Sequence, residues 1–174
     1  MEKKPCIIAA MPVIWHVIIM TDTVLAADQA APDFSLPATG GKTLSLADFR
    51  GQKLLIYFYP KDDTPGCTKQ ACALSENLAQ LNKLSMAVVG VSKDSIPSHE
   101  KFTQKFSLKF PLLSDKDSDM CERYGVWKEK AMMGKKYMGV ERACFLVDEN
   151  GQLAAVKYSI KPEDQVAWAQ QNAA

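Results

Sequence analysis

The most constraining feature of the 174-residue sequence is an uninterrupted apolar and aromatic run, KLLIYFY, at residues 53–59. It has the length of one β-strand and no polar alternation, so it predicts a strand that is buried on both faces. A second run, MAVVGVS at 86–92, predicts another such strand, and leucines at helical spacing lie between the two. Strands buried on both faces need helices to cover them, so the sequence predicts an α/β fold.

The remaining elements extend this order into a mixed sheet. The stretch at 32–49 has apolar residues around Gly40-Gly41 and predicts an N-terminal β-hairpin. Further along we expect a helix at 97–108, a short strand at 110–113, a short helix at 117–124, a second hairpin at 143–158 and a final helix at 162–171. We therefore predict a central mixed β-sheet that is flanked by helices.

Composition excludes several classes of protein. The 21 Lys and Arg residues against 20 Asp and Glu leave a net charge of +1, which gives no electrostatic reason to propose a nucleic-acid partner. Five cysteines in a chain of this length do not make a disulfide scaffold. We expect one globular domain over residues 28–174.

Residues 1–27 form a leader that has two interpretations. Lys3 and Lys4 precede the mostly apolar stretch CIIAAMPVIWHVIIM, which is too short for a membrane span but suits a signal peptide cleaved near Ala26-Ala27. Alternatively, translation begins at Met20 and the preceding residues are not part of the protein. The first interpretation places the protein in the periplasm, and the second places it in the cytoplasm.

The stretch YPKDDTPGCTKQAC, at 59–72, carries the features that indicate chemistry. Thr64 is a good N-cap and Pro65 suits the first position of a helix, which puts Cys67 at the third position. A thiol there faces unpaired backbone N–H groups and the positive end of the helix dipole, and both favour thiolate over thiol. Gly66 leaves room beside the sulfur for a small substrate.

Neighbouring residues bear on this thiol in different ways. Asp62 and Asp63 oppose the thiolate, so they must point to solvent or a cation must outweigh them. Pro60 has no N–H to satisfy and can flank the pocket with Thr64.

Other residues have simpler interpretations. Cys144, in an apolar run, and Cys121 are expected to be structural. His99 is expected on the surface, and residues 132–139 are expected to form a flexible loop near the active site.

The motif resembles the active-site segment of the peroxiredoxins, in particular the bacterioferritin comigratory protein, or peroxiredoxin Q, branch. The family pattern P-x-x-x-T-x-x-C is met by Pro60, Thr64 and Cys67. The resemblance extends from about Val24 over nearly the whole chain and includes APDFSLP, GVSKDS, FPLLSD, YGVWKEK, KKYMGVER and FLVDENG. It implies a thioredoxin-like fold and reduction of hydrogen peroxide or alkyl hydroperoxides with no metal, haem or flavin cofactor.

The resemblance also implies roles for individual residues. Cys67 is the peroxidatic nucleophile, and Cys72 resolves its sulfenic acid as an intramolecular disulfide that a thioredoxin-type dithiol reduces. Arg142 and Thr64 act as donors to the peroxide, and Arg142 supplies the cation that outweighs the aspartates. The resemblance further implies a monomer without stable membrane association. Cys144 stands near Arg142 where a small or hydroxyl residue is expected, which leaves its reactivity open.

Three other functions fit less well. A dithiol–disulfide oxidoreductase acting on proteins would carry C-x-x-C, whereas this motif is C-x4-C. A structural zinc site needs four ligands, and His99 is the only histidine outside the leader. A thioredoxin-like binding module would show no peroxide-dependent oxidation of Cys67.

Overall fold

The computed structural model describes residues 24–173. Within that range the elements follow in this order: β1 (Ser35–Ala38), β2 (Lys42–Ser45), β3 (Lys53–Phe58), α1 (Pro65–Lys83), β4 (Met86–Ser92), α2 (Ile96–Phe106), β5 (Leu112–Ser114), α3 (Met120–Arg123), β6 (Trp127–Met132), β7 (Lys135–Val140), β8 (Ala143–Val147), β9 (Leu153–Tyr158) and α4 (Gln165–Asn172).

The main sheet of the described chain contains the strands in the order β2-β1-β5-β4-β3-β8-β9. The inner strands β3, β4 and β5 run parallel, whereas β1, β8 and β9 pair antiparallel with their neighbours. This arrangement confirms the predicted mixed sheet and the predicted N-terminal hairpin β1–β2.

Strand β3 is an inner strand of the sheet, between β4 and β8, and contributes to the core on both faces. Leu54, Ile56 and Phe58 pack on the side of β1 and α3, and Leu55 and Tyr57 pack on the side of α1, α2 and α4. Successive side chains of a strand point to opposite faces, so a strand with a core on each side must be apolar throughout. This is why the apolar run at residues 53–59 is not interrupted by polar residues.

Helix α1 follows β3 and covers one face of the sheet. Its inward side chains, Cys67, Ala71, Leu74 and Leu81, are buried against the strands. The loop between β3 and α1 therefore lies at the carboxyl end of an inner strand, where α/β proteins commonly place their functional groups.

One segment differs from its sequence-based prediction. Residues 132–139, expected to be a flexible loop, belong to the two-stranded antiparallel pair β6–β7 with a turn at Met133-Gly134. The hairpin does not bury one apolar face in the core, so the sequence lacks the alternation of apolar and polar residues that indicates a strand. Several of its large side chains are exposed instead: Met132, Met133, Tyr137 and Met138.

The leader lies mostly outside the described residues, so its cleavage site and the domain boundary at 27/28 stay predictions. Among residues 24–173, no helix has the length and apolar character needed to cross a membrane.

Candidate active site

Cys67 occupies the third position of α1, as the helix-start signals predicted. Pro65 is the first helical residue and Thr64 is the N-cap, with an extended backbone. The N–H groups of a helix's first turn have no partner within the helix, so a side chain at this position lies at the positive end of the helix dipole. The residue is 2% exposed and belongs to the core cluster that also contains Tyr57 of β3 and Cys144 of β8.

The Arg142 guanidinium reaches Cys67 from the residue that immediately precedes β8. One of its terminal nitrogens lies 3.5 Å from the Cys67 sulfur. A Cβ atom added at Gly66 would lie 3.2 Å from the same nitrogen, so glycine at this position allows the arginine to approach. A positive charge at this distance stabilises a thiolate over a thiol.

A buried amide pair holds the arginine in place. Gln70, one turn after Cys67 on α1, accepts a hydrogen bond from Arg142 through Oε1. Its Nε2 donates to Oε1 of Gln165, at the start of α4. Both glutamines are fully buried, so Arg142 is fixed by α1, and α1 is in turn tied to α4.

Lys130 of β6 brings a second cation to this region. Its ammonium donates to the Val140 carbonyl at 2.5 Å. Burial lowers the pKa of Lys130, a shift that the Glu141 carboxylate opposes and the Arg142 charge reinforces.

Asp62 is buried, so it does not point to solvent, which was the first of the two arrangements expected for it. His99 Nδ1 lies 2.8 Å from its Oδ2 atom, and the hydroxyls of Tyr59 and Ser98 each donate to the carboxylate at 2.7 Å. Burial by itself raises the pKa of Asp62, but these hydrogen bonds and the charge of His99 bring it below its ordinary value. The prediction of a surface position for His99 is wrong, because the side chain is completely buried against Asp62.

The rest of the loop before α1 is more exposed. The Asp63 carboxylate accepts hydrogen bonds from Lys105 at 2.6 and 2.9 Å, so it has its own cation. Thr64 stands at the N-cap, yet its hydroxyl donates to the Lys61 carbonyl at 3.1 Å instead of capping the helix. Pro60 lies exposed at the start of the loop.

Cys72 lies on another side of α1, half-buried at a cavity of about 210 Å³ lined also by Phe106, Ser107 and Lys109. Burial raises the pKa of the Cys72 thiol, and the nearby Glu76 carboxylate raises it further. All the cysteines of the described chain are free thiols. Because Cys67 and Cys72 both lie in the continuous helix α1, their Cα atoms are about 8.7 Å apart by ideal geometry, beyond the limit of about 7 Å for a disulfide.

Cys121 and Cys144 are fully buried, in line with the structural role expected for both. Burial raises the pKa of both thiols; at Cys121 the Asp115 carboxylate adds to the effect, and at Cys144 the charge of Arg142 opposes it. Neither is poised to ionise at neutral pH.

Comparisons with known proteins identify the family to which a chain with this fold and site belongs. The sequence profile of the AhpC/TSA family matches residues 27–156. A Coxiella burnetii protein named peroxiredoxin bcp is 52% identical over 139 residues, which cover 80% of this chain and 92% of the relative. Peroxiredoxin Bcp of Escherichia coli K12 is 48% identical over 132 residues, which cover 76% of this chain and 85% of the relative.

A solved structure agrees with these sequence relatives. The Xanthomonas campestris bacterioferritin comigratory protein, studied for its alkyl peroxide reduction activity, superposes with a TM-score of 0.77 at 35% identity and covers 85% of this chain and 99% of its own. The chain therefore belongs to the AhpC/TSA family, whose thioredoxin-like fold it shares. Within that family it is a peroxiredoxin of the Bcp, or peroxiredoxin Q, branch, and thus a thiol peroxidase.

Sequence reasoning missed the residues that support the site from a distance: Gln70, His99, Lys130 and Gln165. Only Gln70 carried a usable signal, because it is three residues after Cys67 and so on the inward face of α1. The others come from separate elements, and nothing local in their sequence relates them to the motif.

Proposed function

We propose that this peroxidase works through Cys67 as nucleophile and Cys72 as resolving residue, with reducing equivalents from a thioredoxin-type dithiol. The observation that carries the proposal is the buried Cys67 sulfur at the start of α1, with the Arg142 guanidinium 3.5 Å away. A helix N-terminus and a nearby cation are environments that favour the thiolate, the reactive form of a cysteine.

In the first step the Cys67 thiolate attacks one peroxide oxygen. A sulfur–oxygen bond forms as the O–O bond breaks, sulfur is oxidised to a sulfenic acid, and the departing oxygen takes a proton to become water or an alcohol. Negative charge develops on the departing oxygen, so donors aimed at it lower the barrier. The Cys67 backbone N–H and Arg142 are the donors we assign, together with the Thr64 hydroxyl once it rotates away from Lys61.

In the second step the Cys72 thiolate attacks the sulfenic sulfur. A disulfide forms and hydroxide leaves, which is protonated to water. An external dithiol then reduces the disulfide by exchange and restores both thiols. We propose hydrogen peroxide and alkyl hydroperoxides as substrates, in line with the alkyl peroxide reduction studied in the Xanthomonas relative.

We further propose that the protein acts as a monomer without nucleic acid or a stable membrane association, and that it is cytoplasmic. The near-balanced charge supports the absence of a nucleic-acid partner. The need for a steady supply of reducing equivalents, which are more available in the cytosol, supports a cytoplasmic location.

Single-turnover oxidation followed by mass spectrometry of the intact protein tests the mechanism. We expect wild type to lose two hydrogens after one equivalent of peroxide, and Cys67→Ser to consume no peroxide. Cys72→Ser should still react once but stop at the sulfenic acid, over-oxidise or form intermolecular disulfides. Cys121→Ser and Cys144→Ser serve as matched controls, and either of them lacking the intramolecular bond would reassign the resolving residue.

A further inference from the structure

His99 is a buried residue whose hydrogen bonds determine its charge. Its Nδ1 atom lies 2.8 Å from Asp62 Oδ2, and its Nε2 atom lies 3.2 Å from the Leu113 carbonyl oxygen at β5. A carbonyl oxygen only accepts hydrogen bonds, so Nε2 must carry a proton.

The ionisation state of Asp62 determines whether the other ring nitrogen, Nδ1, carries a proton. The Tyr59 hydroxyl donates to its Oδ1 atom and the Ser98 hydroxyl donates to its Oδ2 atom, so both carboxylate oxygens act as acceptors. Asp62 is therefore ionised at neutral pH and accepts only. Nδ1 must then donate as well, and a ring with protons on both nitrogens is an imidazolium cation.

Among the described residues, the hydrogen-bond partners of the His99 ring are Asp62, the Tyr59 hydroxyl and the Leu113 carbonyl, and Asp62 is the charged one. Tyr59 follows β3 and keeps its proton, since burial raises its pKa, and Ser98 and the Leu113 carbonyl are neutral. The Asp94 carboxylate has other partners: it accepts from the Asp62 backbone N–H at 2.8 Å and from the Ser92 hydroxyl at 2.9 Å. The His99–Asp62 pair is thus a closed ion pair.

This pairing bears on the reacting sulfur. Asp62 lies five residues before Cys67, on the loop that leads into α1. Burial raises the pKa of the Tyr57 hydroxyl, and the charges of Cys67 and Asp62 raise it further, so the two groups act on the same buried side chain. An uncompensated carboxylate there would oppose the thiolate. Asp63 is already matched by Lys105. Arg142 points at Cys67 and Gln70, so it is not the cation that balances the two aspartates.

We propose that His99 is a positioning residue of the peroxide reaction: its imidazolium neutralises Asp62, so that the Arg142 charge acts on the Cys67 sulfur alone. The inference rests on the proposed function of Cys67. It assigns to an α2 residue a role in the site that the motif at 59–72 does not contain.

The charge of His99 can be observed directly in the unmodified protein. The chain has two histidines, His16 and His99, so selective ¹⁵N labelling of histidine gives few ring signals, and His99→Gln assigns them. We expect the His99 ring to show two imidazolium N–H signals at neutral pH. A neutral tautomer, with one unprotonated ring nitrogen, would overturn the proposal.

A pair of substitutions and their combination then separate charge from packing. His99→Gln leaves Asp62 uncompensated, and we expect the rate of Cys67 oxidation to fall roughly tenfold, the factor that corresponds to about 1.4 kcal/mol. The double variant Asp62→Asn/His99→Gln removes both charges and should recover to within about threefold of wild type, since one pair of opposite charges is lost together. Asp62→Asn alone breaks the same contacts but removes the negative charge, so it should not show the slow rate of His99→Gln.

The rate is measured in a single turnover without any reductant, so the recycling steps play no part. Near-ultraviolet circular dichroism of each variant confirms that it is folded. If all three variants are equally slow, His99 has only a packing role and the proposal fails. If wild type itself does not react with peroxide, the proposed function fails instead, and the NMR result still stands.

Discussion

At the scale of single residues, the site depends on how charges are matched. Cys67, Asp62 and Asp63 are each negative when ionised, and each has its own cation: Arg142, His99 and Lys105, respectively. The pairs differ in exposure, because His99–Asp62 is buried whereas Lys105–Asp63 is solvent-exposed. A buried pair is coupled strongly to its surroundings, and an exposed one contributes little.

The Arg142 contact leads to the first prediction. Arg142→Ala should slow the reaction of Cys67 with peroxide by roughly 10²-fold or more, the scale observed when one preorganised donor is removed. Stopped-flow measurement of the first oxidation, with the ultraviolet absorbance of the thiolate at neutral pH, checks it.

Arg123→Ala is the matched control for this prediction, since it removes the same charge from an exposed arginine paired with Asp119. Its rate should equal that of wild type. Equal rates for Arg142→Ala and Arg123→Ala would remove Arg142 from the mechanism.

Gln70 provides a second prediction at this scale. Gln70→Leu keeps the side-chain size roughly constant but removes the acceptor that holds Arg142 and the donor to Gln165. We expect a slower peroxide reaction than wild type, by a smaller factor than Arg142→Ala, together with a lower free energy of unfolding because Gln165 loses its partner. Chemical denaturation and single-turnover kinetics measure both. An unchanged rate would mean that Arg142 is positioned without Gln70.

At the scale of secondary-structure elements, α1 must change shape for the proposed disulfide to form. Cys67 and Cys72 lie on different sides of one continuous helix, with one facing the sheet and the other the Phe106 cavity. The first turns must therefore unwind to bring the sulfurs together. Gly66 and Thr68 lower the cost, as weak helix formers at roughly 0.5–1 kcal/mol each relative to Ala.

Hydrogen exchange tests this unwinding. After peroxide treatment, amides from about residue 67 to 74 should exchange faster, while those of β3 stay protected. The start of α4 should also exchange faster, because Gln165 loses its hydrogen bond when Gln70 moves. Cys72→Ser should abolish the change. Equal exchange in the reduced and oxidised wild type would exclude Cys72 as the resolving residue.

At the scale of the whole molecule, the buried Asp62 links stability to pH. Its pKa is lower in the folded state than in the unfolded chain, where it is about 3.9. The stabilisation is fully present above that unfolded value and is lost as the pH falls through the lower, folded value. Wild type should therefore lose stability from about pH 4 downward, and Asp62→Asn should show a flatter acid limb in denaturant titrations. Parallel curves would contradict this.

The compartment is also a property of the whole chain. Sequencing the N-terminus of the protein from its native cell decides between the two interpretations of the leader. A start at Met20 or Thr21, which we expect, shows cytoplasmic translation. A start at Ala27 or Asp28 shows export.

The sequence by itself determined those features that depend on neighbours in the chain. The buried strands β3 and β4 follow from unbroken apolar runs, and the start of α1 follows from Thr64-Pro65. These signals are local, because strand periodicity and helix capping act over a few residues. The ends of helices were predicted less accurately than the buried strands, since the predicted helix at 117–124 is shorter in the structure, at Met120–Arg123.

Only the tertiary structure decided which side chains face the thiol. Arg142 is 75 residues from Cys67, and His99 is 37 residues from Asp62. The polar stretch around His99 indicates a surface residue. In the structure, the packing of α2 on β5 buries the side chain against Asp62, which belongs to another loop. Such pairs depend on how the elements pack and on the low polarity of the interior that results. The nucleophile is therefore visible in the sequence, whereas the charges around it are set by the fold.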